Sequence, residues 1–137
     1  MSYYFHGTDD DTLTLNGTNP SSRQQDLCLT DDKRIARQYA TRWGAGVVFE
    51  IYVSLDDEEI ATEEQALALC GIDADEIVFM TPSEKFAAID QLNASQVLAA
   101  GFKAVTYEDQ MPGTPDRFEA LRVYDYTALE ISEMEEA

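Results

Sequence analysis

The chain has 137 residues, 45% of them apolar, which suits one core and excludes two independent ones. Its 27 acidic residues against 9 basic ones leave a formal net charge of -18. That balance excludes direct binding of nucleic acid and attraction to anionic membranes. The same charge either draws the chain to a basic protein surface, including one that normally holds nucleic acid, or serves solubility alone.

Residues 2–6 are aromatic-rich and read as a first strand. Residues 9–26, with Asp9-Asp10-Asp11, Asn16-Gly17 and Asn19-Pro20, carry loop chemistry. Leu27-Cys28-Leu29 is a short apolar piece ending at Thr30. A helix follows, capped by Thr30, Asp31 or Asp32. It presents Ile35, Ala36, Tyr39 and Ala40 on one face and stops near Trp43-Gly44. Residues 47–53 are the strongest strand, with Val47, Phe49, Ile51 and Val53 alternating with Val48, Glu50 and Tyr52. Asp56 to Glu59 form an acidic turn. Thr62-Glu63-Glu64-Gln65 has capping-box form and opens a helix that reaches Leu69 and ends at Gly71.

Pro82-Ser83-Glu84 opens another helical stretch with Phe86, Ile89 and Leu92 on one face, and 94–100 form a further turn or two closed by Gly101. Phe102–Tyr107 and Phe118–Tyr124 read as the last strands, joined by the turn-rich 111–116. The fold class is α+β, with a largely antiparallel sheet and packed helices. Residues 1–132 form one domain, and 133–137 an acidic, frayed tail. No apolar run is long enough to cross a bilayer and no signal pattern opens the chain, so the expected location is the cytoplasm. Cys28 and Cys70 stand far apart without metal-type spacing. They read as buried thiols of a reducing compartment, with a single disulfide as the alternative.

His6 is the one histidine, placed where a strand gives way to a polar loop. Gly7 beside it leaves the backbone open to close approach by a planar ligand. If residues 103–109 stay extended, Val105, Tyr107 and Asp109 share one face and Thr106 and Glu108 the other. Asp109 then sides with an apolar row, where a carboxylate is costly unless used or paired. Glu119, aligned with Leu121 and Val123, raises the same flag.

Tyr4-Phe5-His6-Gly7-Thr8, Leu29-Thr30-Asp31-Asp32 with Ala36 to Ala40, and Val48 to Val53 together resemble the ADP-ribosyltransferase superfamily of the His-Tyr-Glu type. Gly101 to Asp109 and Leu121 to Asp125 are similar to its last strands. The short length and the acidity resemble in particular the small phage anti-CRISPR members. The resemblance implies NAD as substrate, with no metal. It implies that His6, Gly7 and Thr8 hold NAD, His6 at the nicotinamide-side or adenosine-side ribose and the Gly7 backbone at the nicotinamide amide. Tyr39 would lie against the nicotinamide ring, although core packing alone also explains it. Residues 9–26 would lie over the cofactor, with Arg23 ranked above Arg34, Arg37 and Arg42 as donor to the diphosphate.

A carboxylate would stabilise the oxocarbenium character that develops as the bond to nicotinamide breaks. The usual superfamily Glu stands five residues before the Asp of the closing motif. Counting back from Asp125 gives Ala120 and not Glu119, whereas the anti-CRISPR members place an acid at the position of Asp109. The order of candidates is Asp109, then Glu119, with Glu108 as supporting partner; solvated rim charges are the plain alternative for all three. The implied function is mono-ADP-ribosylation of a host protein with a basic, nucleic-acid-binding type of surface, as a counter-defence factor in the host cytoplasm. The alternative is a catalytically inactive NAD binder or acidic nucleic-acid mimic that blocks such a surface.

Overall fold

The structure, a computed structural model, describes residues 2–8, 27–42, 44–110 and 117–137. The loop expected over 9–26, with Arg23, and the turn at 111–116 lie outside the described residues. The first strand is β1, Ser2–Thr8, and the short apolar piece is β2, Leu27–Thr30. Helix α1, Lys33–Thr41, is capped by Asp32, whose carboxylate accepts from the Arg34 backbone N–H at 2.9 Å. Ile35, Ala36 and Ala40 are buried and Tyr39 is half-buried, as the helical spacing predicts. Strand β3, Val47–Val53, has Val48 buried as well as Phe49, Ile51 and Val53, because α1 packs on its second face.

A turn of 3-10 helix at Asp57–Glu59 leads into the two-residue β4, Ile60–Ala61, and then α2, Glu63–Leu69. The expected capping box is made in both directions: Thr62 Oγ1 accepts from the Gln65 N–H at 3.2 Å, and Gln65 Oε1 accepts from the Thr62 N–H at 2.9 Å. Thr81 with Glu84 opens α4, Pro82–Asp90, in the same way, and Asn93 with Gln96 opens α5, Ala94–Ala99. Between α2 and α4 stands α3, Ala74–Ile77, a single turn that the apolar pattern did not announce. Gly71 and Gly101 take positive φ, 82° and 90°, to end α2 and α5. Strands β5, Ala104–Gln110, and β6, Arg117–Val123, follow, and β7, Leu129–Glu136, ends the sheet.

The seven strands lie in the order β4-β5-β6-β2-β1-β3-β7. Every pairing is antiparallel except β4 with β5, so the expected α+β class with a largely antiparallel sheet is what the chain adopts. The acidic tail is a correction. Residues 133–136 are the outer half of β7 and pair with Val47 to Glu50, rather than fraying beyond a domain that ends at 132. Glu135 also takes Lys33 at 2.6 Å and Arg37 at 3.3 Å, which ties the strand to α1.

One core cluster joins α2, α4 and α5 to the outer face of β5 and β6 through Leu67, Ile89, Val97, Val105, Tyr107 and Tyr124. Each such aliphatic side chain, fully buried, contributes about 1.5–3 kcal/mol. A second cluster unites Phe49, Ile51 and Val53 of β3 with Leu29, Leu121 and Val123 of β2 and β6. Only β1 stands between β2 and β3 in the sheet order, and Tyr4 of β1 packs against the same cluster, so it runs across one face of a sheet that curls over it. The crease falls between β1 and β2, which share one registered pair among the described residues, Phe5 with Thr30. It is there that the candidate site lies.

Candidate functional site

Gly7 and Gly46 let α1 settle onto the sheet beside the crease. A Cβ on Gly7 would overlap the Ala36 carbonyl oxygen and stand 3.1 Å from the Ala40 nitrogen, and one on Gly46 would overlap the Ala40 carbonyl oxygen. Gly7 therefore serves the close approach of strand and helix, a reason beyond the ligand access expected from sequence. With α1 held so near, Ala36 and Tyr39 form one wall of a cavity of about 250 Å³. Phe86 of α4 supplies part of another, and β1, β2, β5 and β6 supply the rest, including Phe5, Phe118, Cys28 and Ala120.

His6, Gly7, Tyr39 and Asp109 all line this one cavity. They come from β1, α1 and β5, and nothing but the fold brings them together. The His6 ring spans the crease: Nδ1 lies 2.9 Å from the Cys28 carbonyl oxygen. A carbonyl only accepts, so Nδ1 carries the proton and Nε2 is the nitrogen left to accept. Burial of the ring pushes the His6 pKa down from its ordinary value, and the hydrogen bond to Cys28 offsets this in part. The ring is therefore neutral at pH 7. Tyr39 meets Phe118 edge to face, with ring centroids 6.4 Å apart. Burial raises its pKa, and the nearby Asp109 charge adds to the effect.

The other expected site residues stand apart. Alternation along β5 and β6 sets Tyr107, Asp109, Phe118, Ala120 and Arg122 on the cavity side, and Thr106, Glu108 and Glu119 on the reverse. Glu119 accepts there from the Thr106 hydroxyl at 2.7 Å. A Glu63 carboxylate oxygen accepts from the Glu108 N–H at 3.2 Å. Burial raises the Asp31 pKa, and the Glu119 charge raises it further, so the reverse side is an acidic rim. Thr8 ends β1 opposite Val47 and is not part of the cavity wall. Arg34 is held by Asp32 at 2.9 Å and Arg37 by Glu135 at 3.3 Å; neither these nor Arg42 lines the cavity.

The residue that sequence reasoning missed is Arg122. Its side chain is 5% exposed, the one buried cation among the described residues, and it lines the cavity. Nη1 donates to Asp90 Oδ1 at 2.9 Å and Nη2 to the Tyr107 hydroxyl at 3.3 Å. The guanidinium also lies over two rings, 5.4 Å from the Tyr107 centroid and 5.9 Å from that of Phe86. It supplies the local positive charge that a chain of net charge -18 lacks elsewhere in the cavity. The signal was present in Phe118 to Tyr124. Alternation puts Arg122 on the same face as Phe118, Ala120 and Tyr124, an apolar row whose one cation has to be paired or used.

Neither cysteine is in a disulfide, as one of the two readings had it, but neither is fully buried: Cys28 is exposed and Cys70 half-buried. Among the described residues no cluster of three or more His, Cys, Asp or Glu side chains is arranged to hold a metal ion. No described helix is long and apolar enough to cross a membrane. Comparison with known proteins adds no relative: no protein-family model, no curated protein and no solved structure matches the chain.

Proposed function

We propose that this chain is a NAD-dependent mono-ADP-ribosyltransferase that modifies a host protein, in the manner of a phage anti-CRISPR or other counter-defence factor. The observation that supports the reading is the convergence of His6, Gly7, Tyr39 and Asp109 on one cavity at the crease. The cavity, at about 250 Å³, is smaller than the roughly 300–1,000 Å³ of whole-ligand pockets, so it takes the nicotinamide end of NAD. In that pose Tyr39 and Phe118 flank the ring, and neutral His6 accepts from a ribose hydroxyl through Nε2. The Gly7 backbone lines the same cavity and pairs with the nicotinamide amide in this pose. The Asp109 carboxylate faces the ribose carbon as positive charge develops, which favours the transition state over the ground state. The test is incubation with labelled NAD and candidate basic proteins. Label transfer that depends on Asp109 supports the reading; absence of both transfer and nicotinamide release across many targets removes it.

A second reading, a non-enzymatic blocker of a basic surface, is favoured by Val78 and Phe79. They are 79% and 86% exposed at the turn between α3 and α4, amid exposed Asp73, Asp75, Glu76 and Glu84. An exposed apolar pair in an acidic stretch of chain suits a basic partner. On this reading inhibition survives Asp109→Asn and removal of NAD, and weakens as salt is added.

A further inference from the structure

We propose that the Tyr107 hydroxyl is a fixed hydrogen-bond donor to the ligand on the cavity floor, oriented by Arg122, and that the ligand is a flat aromatic ring bearing a carbonyl oxygen. The inference deepens the NAD reading and rests on it for the identity of that ring as nicotinamide.

The argument starts from donors and acceptors. Arg122 has five N–H groups and no acceptor, so in its contact with Tyr107 the phenolic oxygen must accept. That leaves the phenolic proton for another partner. Among the described residues none stands within hydrogen-bonding distance to take it, although Tyr107 is 96% removed from solvent by the complement of its 4% exposure. A buried hydroxyl proton without an acceptor is costly, and a ligand in the cavity relieves that cost. Arg122 cannot drift away from the contact. Asp90 holds its other terminal nitrogen, and the rings of Phe86 and Tyr107 flank the guanidinium. A guanidinium behind the oxygen also polarises the O–H bond and strengthens what it donates. Burial meanwhile raises the Tyr107 pKa, so the proton stays in place across the physiological range.

The ligand's shape follows from the walls. Phe5, Tyr39, Phe86 and Phe118 present rings, which suits a flat aromatic body. The floor, with Tyr107 and Arg122, offers donors, which suits a group that only accepts. A carbonyl conjugated to the ring meets both demands.

The experiment compares nicotinamide with 3-methylpyridine, which keeps the ring and lacks the carbonyl. Binding to the whole protein and to Tyr107→Phe is followed by calorimetry or NMR titration. The wild type is expected to prefer nicotinamide by about three- to tenfold, the range of one net hydrogen bond. Tyr107→Phe is expected to lose most of that preference while binding 3-methylpyridine as before. Arg122→Lys, which keeps the charge but not the planar fork, is expected to fall between the two. A wild type without the preference overturns the inference, as does a preference undiminished in both variants. Should the wild type show the preference yet neither bind NAD nor release nicotinamide from it, the NAD reading falls and the inference stands.

Discussion

The Nδ1 nitrogen of His6 donates to the carbonyl oxygen of Cys28 at 2.9 Å, and so a side chain bridges two strands whose backbones share a single registered pair among the described residues. This bond fixes the imidazole tautomer and leaves Nε2 as the acceptor. Burial of the ring, which disfavours its charged form, makes the crease sensitive to acid.

The pH dependence has a definite sign. Burial lowers the folded pKa of His6 below its unfolded value, which is about 6.5. A group with a depressed folded pKa binds fewer protons in the folded state, so stability rises with pH between the two values. The contribution of His6 is whole above about pH 6.5 and is lost as pH falls through the folded pKa. Urea midpoints of the wild type and His6→Gln at pH 7.5 and pH 5 measure it. The wild type is expected to lose more stability over that interval than the variant; equal losses would show that His6 titrates as it does in the unfolded chain.

Gly7→Ala tests the packing of α1 on β1. The new methyl meets backbone that cannot move without shifting the helix, so a loss of about 1–3 kcal/mol or more is expected. Gly71→Ala is the contrast. Its φ of 82° disfavours a side chain but no atom lies within 4 Å of the added Cβ. There the cost is the left-handed conformation alone, roughly 1–2 kcal/mol. Only Gly7→Ala should also weaken ligand binding, because only it displaces Ala36 and Tyr39 in the cavity wall.

Deletion of residues 133–137 tests whether the acidic end is part of the sheet. It uncovers the outer edge of β3 from Val47 to Glu50 and removes the Glu135 contacts with Lys33 and Arg37. The expected result is a loss on the order of 1–3 kcal/mol in urea unfolding, together with greater self-association, since the carboxylates no longer guard a free edge. An unchanged midpoint would return these residues to the status of a tail.

That strand shows where the sequence ceased to be legible. Local signals were enough for β3, whose alternation is complete, and for α2, where Thr62, Gln65 and Gly71 mark both ends. In β7 the apolar residues are Leu129, Ile131 and Met134, and the step of three breaks a period of two. The break matches the register shift opposite Glu50 and Ile51, where Ser132 is skipped. Such a bulge is set by the partner strand and cannot be read from β7 itself. The site divides in the same manner. Alternation alone put Asp109 with Val105 and Tyr107, and it separated Glu108 from them. The choice between Asp109 and Glu119 needed the crease, because which face of β6 lines the cavity depends on how the sheet curls. The role of Arg122 is set by Asp90, Tyr107 and Phe86, partners remote in sequence that only the fold brings beside it.

Asp109→Asn is expected to lower nicotinamide release from NAD about a hundredfold or more while leaving NAD affinity within about threefold. Glu108→Gln and Glu119→Gln, on the reverse side of the sheet, are expected to keep most of the turnover. Loss of turnover in Glu119→Gln with Asp109→Asn active would reverse the assignment.

The most direct test of the account is the thermal midpoint of the purified protein with and without NAD. A ligand that binds only the folded state at a hundredfold excess over its Kd adds about 2.7 kcal/mol, which is roughly 8–10 °C for a chain of this size. A rise that saturates with NAD and shrinks in His6→Ala is the predicted result; an unmoved midpoint at millimolar NAD would contradict it.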